Sequence, residues 1–482
     1  MKISAVVLFG ISNNIYQKFS NFLSTLSAVS DGMHYAWTAP NIPILQGPNS
    51  HIKITQTDIL WLENVYMIGS FVGIPFIIFT IDRFGRKAFV LIGTVQDMIA
   101  WVLIAFAPSV EYIYIARFLS GIAGNVAFSV APMYISETSD KRVRGFLGSL
   151  IYLMMLVGIL IEYSVAPFVS IGISSAVGFL FLLVQLVSFP FMPESPYYYI
   201  LKNNREAARE SLQKFRLNQN GINIELSERR GFADFITMKN SRRAMLIVSV
   251  LCLAQHFSSY SVIVMNLHSI LDDVGASISS NNAAIIASAL MLAAASLSSV
   301  LIDKAGRRVL LINSSIMTGI TLLMLAVYFL LKHCSFNVEL FKWVPVASIM
   351  LYSVVFKYGL GLVPIVIAAE LFPTSVKAVG MAVMDGLYVI SCLMSIYMYQ
   401  ALKDWYGIHV PFFIFGACCF LTAIFTVMFV PETKGKTLEE IQANLSRGLM
   451  TNADNNEVKR NKQDISNIQL KEVEYRFNNN DA

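Results

Sequence analysis

Charged residues in this sequence recur in matched sets, and those sets carry the first chemical reading. Asp82-Arg83-Phe84-Gly85-Arg86-Lys87 has a counterpart in Asp303-Lys304-Ala305-Gly306-Arg307-Arg308. Glu137 is followed seven residues later by Arg144, and Glu370 is followed by Lys377 at the same offset. Pro193-Glu194-Ser195-Pro196 is echoed by Pro431-Glu432-Thr433-Lys434. Carboxylates and guanidinium groups at helix ends form forked, charge-assisted hydrogen bonds, and glycine at a turn lets the two approach. Pairs of this kind, partly hydrated, are weak singly and stronger as a network. Asp82, Arg86, Glu137, Arg144, Glu194, Asp303, Arg307, Glu370, Lys377 and Glu432 therefore read as a duplicated, reversible latch across the seam between two halves. Lys377 cannot make the bidentate fork of an arginine, so the second latch is expected to be looser.

A second chemical reading comes from polar residues inside apolar runs. Gln255, Ser259, Val262 and Asn266 fall at helical spacing, and polar side chains in a spanning helix face a cavity or a neighbour. For Gln255 and Asn266 both readings stand, pore lining and interhelical hydrogen bonding. Tyr152, His34, Trp37 and His256 divide in the same way between solute contact and packing. Arg117, followed by Gly121 and Gly124, sits within a span, and an acid facing it would form a proton-coupling pair. Asp31 is the available partner. Glu162, Asp97, Asp385 and Lys357 also lie in or near spans, where snorkelling to the interface or pairing between helices is the expected role.

The elements that must position these residues follow from composition. Among 482 residues, 55% are hydrophobic and 14% charged, which is outside the usage of soluble proteins. Runs of roughly 20 apolar residues, enough to cross ~30 Å of hydrocarbon as a helix, recur along the chain. They predict helices at 16–38, 58–81, 88–107, 112–136, 145–167, 173–192, 244–270, 283–302, 309–331, 344–371, 378–402 and 410–430. Open sheet edges are not tolerated in lipid and the runs do not alternate, so the class is an all-α membrane protein. The net charge of +5 resides in connectors and has no nucleic-acid-binding pattern with it. Lys and Arg concentrate in alternate connectors, which places both termini in the cytoplasm. Five cysteines are too scattered for a disulfide framework or a metal site. The opening segment to Ser12 is too short for a removable leader and lacks a cleavage site.

Residues 1–192 and 244–437 thus read as two six-helix bundles. Residues 193–243 read as a cytoplasmic linker with short amphipathic helices, in which Leu201, Ala207, Ala208 and Leu212 share helical spacing. The tail 438–482 has the composition of a disordered segment. Matched motifs in two halves mark a carrier built from repeats. No paired catalytic acids, histidine metal cluster or nucleophile motif lies in the spans, so an enzyme, a cofactor and a metal are not expected.

Together the latch motifs, with Arg117-Phe118-Leu119-Ser120-Gly121, Pro132-Met133-Tyr134-Ile135-Ser136-Glu137, Arg144-Gly145 and Glu370-Leu371-Phe372-Pro373, resemble the sugar porter family of the major facilitator superfamily. The short first outside loop is similar to that of insect facilitated trehalose transporters. The resemblance runs from the first helix to Thr437. It implies a major facilitator fold of about twelve transmembrane helices, two bundles rocking around a central site, and a hexose or disaccharide such as glucose or trehalose as substrate. It also implies facilitative transport in the plasma membrane by a monomer, with a proton-coupled symporter or a nontransporting sugar sensor as alternatives. The family's sugar contacts fall on departures: its helix-five glutamine on Tyr152, its helix-seven glutamine pair on Gln255 and His256, its asparagine on Ser261, and its helix-eleven pair near Tyr388 and Val389. The tryptophan usual after Pro364 is Ile365. Asp31 lies two residues before the place where proton-coupled relatives carry their acid, which turns it to another face.

Overall fold

The computed structural model describes residues 20–48, 50–139, 144–215, 239–274, 278–372 and 377–436, together with 440, 441 and 445. The start of the first expected helix, the second part of the linker and nearly all of the tail fall outside the described residues. No strand occurs among those described.

The amino-terminal half contains α1 (Leu26–Ala36), α2 (Thr38–Gln46), α3 (Gln56–Phe84), α4 (Arg86–Ala105), α5 (Val110–Asn125), α6 (Ala131–Thr138), α7 (Arg144–Val165) and α8 (Ile171–Ser188). Two short helices follow, α9 (Pro196–Leu201) and α10 (Arg205–Phe215). The carboxyl-terminal half contains α11 (Lys239–His256), α12 (Tyr260–Asp272), α13 (Ser280–Ala305), α14 (Arg307–His333), α15 (Trp343–Tyr358), α16 (Val363–Leu371), α17 (Lys377–Tyr406) and α18 (His409–Phe429). Eleven spans among the described residues are long and apolar enough to cross a membrane. The first expected helix is not among them: Ser24, Thr25, Ser27, Ser30, Asp31 and His34 leave this stretch less apolar than the others. Pro40 and Pro43 of α2 lack the N–H that would bond four residues back, so that helix loses two rungs.

Local sequence sets the other boundaries. Thr55 and Asp58 form a reciprocal capping box at the start of α3. Gly85 and Gly306, with φ of +96° and +94°, separate α3 from α4 and α13 from α14. A π-helical turn, Val126–Val130, joins α5 to α6. In α10, Ala208, Ser211, Leu212 and Phe215 form the buried stripe; Ala208 and Leu212 of the expected set lie on it, and Ala207 is half-buried.

Close backbone approach holds the amino-terminal half. A Cβ on Gly158 would lie 2.0 Å from the Val29 carbonyl oxygen, and one on Gly121 would lie 2.0 Å from that of Tyr66. Glycine at these points lets α7 seat on α1 and α5 on α3, as small residues do where apolar burial gives no drive between helices. The two halves meet along α3 with α17 and α7 with α13. Many large apolar side chains, including Phe76, Val187, Leu297 and Leu421, remain exposed on the outside of the helices, the pattern of a lipid-facing surface.

Candidate functional site

The latch residues assemble at one rim, at the ends of α3 and α13. Arg86, 1% exposed, brings Nη1 to 3.0 Å from Asp82, and Nε and Nη2 each to 3.0 Å from Glu137. Ser195 donates a short hydrogen bond to the same Glu137. Arg307 places Nη2 2.9 Å from Glu370, and its Nη1 donates to the Ile302 carbonyl at 3.2 Å. Each of these pairs joins helices of one half. The expectation that they reach across the seam is therefore corrected: Glu137 ends α6 and Glu370 ends α16, each packed against the arginine-bearing turn of its own bundle. The side chains of Arg144, Asp303 and Lys377 lie outside the described residues.

Glu194 and Glu432 do different work from the forked pairs. Glu194 accepts from the backbone N–H groups of Arg86 and Lys87 at 3.1 Å and of Ser195 at 2.8 Å. Glu432 accepts from those of Arg307, Thr433 and Lys434 at 3.0 Å and of Arg308 at 3.1 Å. Both carboxylates thus cap the unsatisfied N–H groups at a helix start, α4 or α14, where the helix dipole favours negative charge. Burial raises the Glu194 carboxyl above its ordinary value despite these bonds. For Glu432 burial acts in the same direction, but four backbone donors outweigh it and hold the group low.

At the centre, the segment linking α11 to α12 breaks the helix. Ser259 adopts a left-handed conformation, φ +70°, and Asn266 inside α12 is also non-helical. The single stripe expected for Gln255, Ser259, Val262 and Asn266 is therefore interrupted twice. What the break brings together is a polar cluster at the seam. His256 Nδ1 lies 2.6 Å from Ser261 Oγ, which accepts from Tyr35 of α1 at 2.8 Å and from Cys392 of α17 at 3.2 Å. The His256 and Tyr388 rings are 4.1 Å apart. Gln255 Nε2 donates to the Gly361 carbonyl at 3.1 Å, and Tyr152 donates to the same oxygen at 3.1 Å. Gln255 Oε1, His256 Nε2, Ser259 Oγ and Tyr260 OH are buried without a hydrogen-bond partner.

Six of the candidate contacts, Gln255, His256, Ser259, Ser261, Tyr152 and Tyr388, therefore cluster. Asn266 and Trp37 do not join them. Asn266 lies beside Glu63, whose carboxylate accepts from Gln400 of the other half at 3.0 Å. Trp37 lies in the amino-terminal half, where the Arg117 guanidinium is 5.5 Å from its ring. Arg117 donates to the carbonyls of Leu62 and His34 at 2.6 and 2.8 Å. Asp31 instead accepts from Tyr66. The acid and the arginine are each held by other groups.

The remaining intramembrane charges pair between helices rather than snorkel. Asp97 accepts from Ser30 at 2.6 Å and stands 2.9 Å from His34, which stacks on Trp101. Glu162 accepts from Asn41 at 3.0 Å. Asp385 accepts at 3.0 Å from Ser129, a residue of the π-helical turn, and so bridges the halves. A cavity of about 580 Å³ lies away from all of these, beside Leu45, His51, Ile104 and Ile171.

Glu63, Tyr35, Tyr260 and Lys357 enter the seam unannounced as site residues. Glu63 carried a signal, an acid beside Asn64 in an otherwise apolar run. The tyrosines carried none, since aromatic residues in a span read as packing.

The sequence model of the Sugar (and other) transporter family matches residues 8–445. The chain belongs to this family. This sugar transporter family member is 30% identical over 428 residues to a facilitated trehalose transporter Tret1 of Polypedilum vanderplanki, covering 85% of this chain and 84% of the relative. It is 29% identical over 455 residues to the Tret1 of Bombyx mori, covering 90% and 87%. It spans 47% of the longer Tret1 of Drosophila virilis, at 28% identity over 87% of this chain. Among solved structures it superposes on the inward open xylose transporter XylE from E. coli with a TM-score of 0.71, at 21% identity over 89% of this chain and 99% of that one. The proton:xylose symporter XylE bound to 6-bromo-6-deoxy-D-glucose gives 0.73, at 22% identity over 90% and 99%. The all-α major facilitator fold expected from the motifs is the fold observed, and the chain is a multi-pass membrane protein of a transporter family, not an enzyme.

Proposed function

We propose that this protein carries a sugar or sugar-like polyol across the plasma membrane by facilitated passage, as a monomer with both termini in the cytoplasm. The observation that carries the reading is the polar cluster around the broken α11–α12 segment. It lies between the two halves, it is deeply buried, and it leaves four polar atoms in search of partners. Buried polar atoms without partners are costly, and a hydroxyl-rich solute supplies both donors and acceptors. Gln255, His256, Ser259, Ser261, Tyr152 and Tyr388 would form its contacts, with Asn266 and Trp37 supporting the surrounding helices.

Alternating access needs two halves whose internal packing survives while the seam between them rearranges. Clasps that close within a half suit this requirement, because each bundle can rock as one body. Facilitated passage is favoured over proton coupling by the separate anchoring of Asp31 on Tyr66 and Arg117 on backbone carbonyls. The relatives named as facilitated trehalose transporters support the same reading. Uptake of labelled glucose and trehalose into proteoliposomes tests it, with uptake expected to be independent of an imposed proton gradient. Flux no faster than in empty vesicles for every sugar and polyol would refute it.

A further inference from the structure

Lys357, at the end of α15, is fully buried. Its ammonium does not snorkel to a rim. It donates to Tyr152 OH at 2.6 Å and stands 3.8 Å from the centroid of the Tyr260 ring, with the Tyr152 and Phe356 rings at 4.8 and 5.3 Å. Every one of these partners is neutral. Among the described residues, the intramembrane carboxylates are engaged elsewhere: Asp31 on Tyr66, Glu63 on Gln400, Asp97 on Ser30, Glu162 on Asn41, and Asp385 on Ser129. None of them pairs with Lys357.

An ammonium has three donors, and the phenol takes one. Aromatic faces attract the cation but do not neutralise it, and a charge taken into a low-dielectric interior without a counter-ion is poorly placed. The position matters as much as the charge. Tyr152 and Gln255 both donate to the Gly361 carbonyl, and a Cβ on Gly361 would lie 3.1 Å from Lys357 Cδ. The lysine therefore sits in the same cluster as the unpartnered Gln255 Oε1, His256 Nε2, Ser259 Oγ and Tyr260 OH.

We infer that the preferred solute is a polyhydroxylated monocarboxylate, a sugar acid of the uronate or aldonate class, whose carboxylate pairs with Lys357 while its hydroxyls engage Gln255, His256, Ser259 and Tyr260. The inference rests on the transport reading and sharpens its substrate class. The carboxylate supplies the missing counter-ion, and the hydroxyls supply the missing hydrogen-bond partners. A neutral sugar satisfies the second need and leaves the first.

The test uses the full chain in proteoliposomes, with labelled glucuronate, gluconate, glucose and trehalose exchanged in counterflow. Glucuronate or gluconate should half-saturate at a concentration about tenfold or more below that of glucose, the scale of a close charge pair. Lys357→Met should abolish that preference, and Lys357→Arg should retain it. Flux of glucose or trehalose without flux of either acid overturns the inference and leaves the sugar-transport reading standing. Flux of none of the four overturns both. Acid preference unchanged in a monodisperse Lys357→Met protein also overturns the inference. Should that variant fail to fold, Tyr152→Phe decides, since it removes the hydroxyl that positions the ammonium. The acid preference should then weaken while glucose flux changes less, and an unaltered preference refutes the role of Lys357.

Discussion

The two clasp regions are built from the same motif but wired differently. Arg86 is 1% exposed and reaches Asp82 and Glu137, whereas Arg307 is 11% exposed and reaches Glu370 and the Ile302 carbonyl. The caps differ in the opposite sense. Glu432 gathers the N–H groups of Arg307, Arg308, Thr433 and Lys434, and Glu194 those of Arg86, Lys87 and Ser195. Each half thus has a guanidinium clasp and a capping carboxylate, with the more deeply buried guanidinium in the amino-terminal half and the more fully bonded cap in the carboxyl-terminal half. A duplicated sequence pattern fixes which groups are present at a turn. Which of them bears the strain of holding it depends on local packing.

Removing the arginines should expose that difference most strongly. Arg86→Ala takes from Glu137 and Asp82 the guanidinium that both meet, and because Glu137 is largely buried the expected destabilisation is about 3 kcal/mol. Arg307→Ala removes a more hydrated pair and should cost about 1 kcal/mol. Lysine substitutions refine the contrast: Arg86→Lys loses the fork, while Arg307→Lys can keep a single bond. Thermal unfolding of the purified protein in detergent measures all four. Equal losses for Arg86→Ala and Arg307→Ala would erase the distinction drawn here.

The glycines test the caps. Gly85→Ala would bring a Cβ to 2.5 Å from Glu194 Oε2, with 3.3 Å to the Tyr198 ring, and Gly306→Ala would bring one to 2.8 Å from Glu432 Oε2. Both positions also have positive φ, which a side chain tolerates poorly. The expected costs are about 2 kcal/mol for Gly85→Ala and about 1 kcal/mol for Gly306→Ala, since the second carboxylate is less confined. A larger loss at Gly306 would place the tighter turn in the carboxyl-terminal half and reverse the comparison.

Much of this architecture was legible because membrane spans and connector charges are properties of short windows. The motif pairs also contain Asp82, Arg86, Glu137, Arg307 and Glu370, which meet within the two halves. Their partners were less legible, since a charge at a helix end faces two bundles and the sequence does not say which one it meets. The break at Ser259 had no signal, since serine is neither glycine nor proline. For Lys357 the expectation left snorkelling and pairing between helices both open, and the structure shows the pairing. Hydropathy marks a lysine within a span but not its direction, which is decided by Tyr152 and Tyr260 from other helices.

The smallest expected effect is also the most direct probe of the two caps. The Glu432 carboxyl is held below its ordinary value of 4.5, so ionised Glu432 contributes stability above that value, and the contribution is lost as pH falls through the lowered one. The Glu194 carboxyl is raised above 4.5 by burial, so its ionisation opposes folding, and the penalty sets in as pH rises through the raised value. Acidification should therefore loosen the carboxyl-terminal cap and relieve the amino-terminal one. In unfolding midpoints followed from about pH 7 to about pH 3, Glu432→Gln should flatten the loss below 4.5, because the group that takes up the proton is gone. Glu194→Gln should instead flatten the decline on the side above 4.5. Identical pH profiles for the two variants would mean that the two helix starts hold their carboxylates alike, and the asymmetry between the halves would then lie in the arginine forks alone.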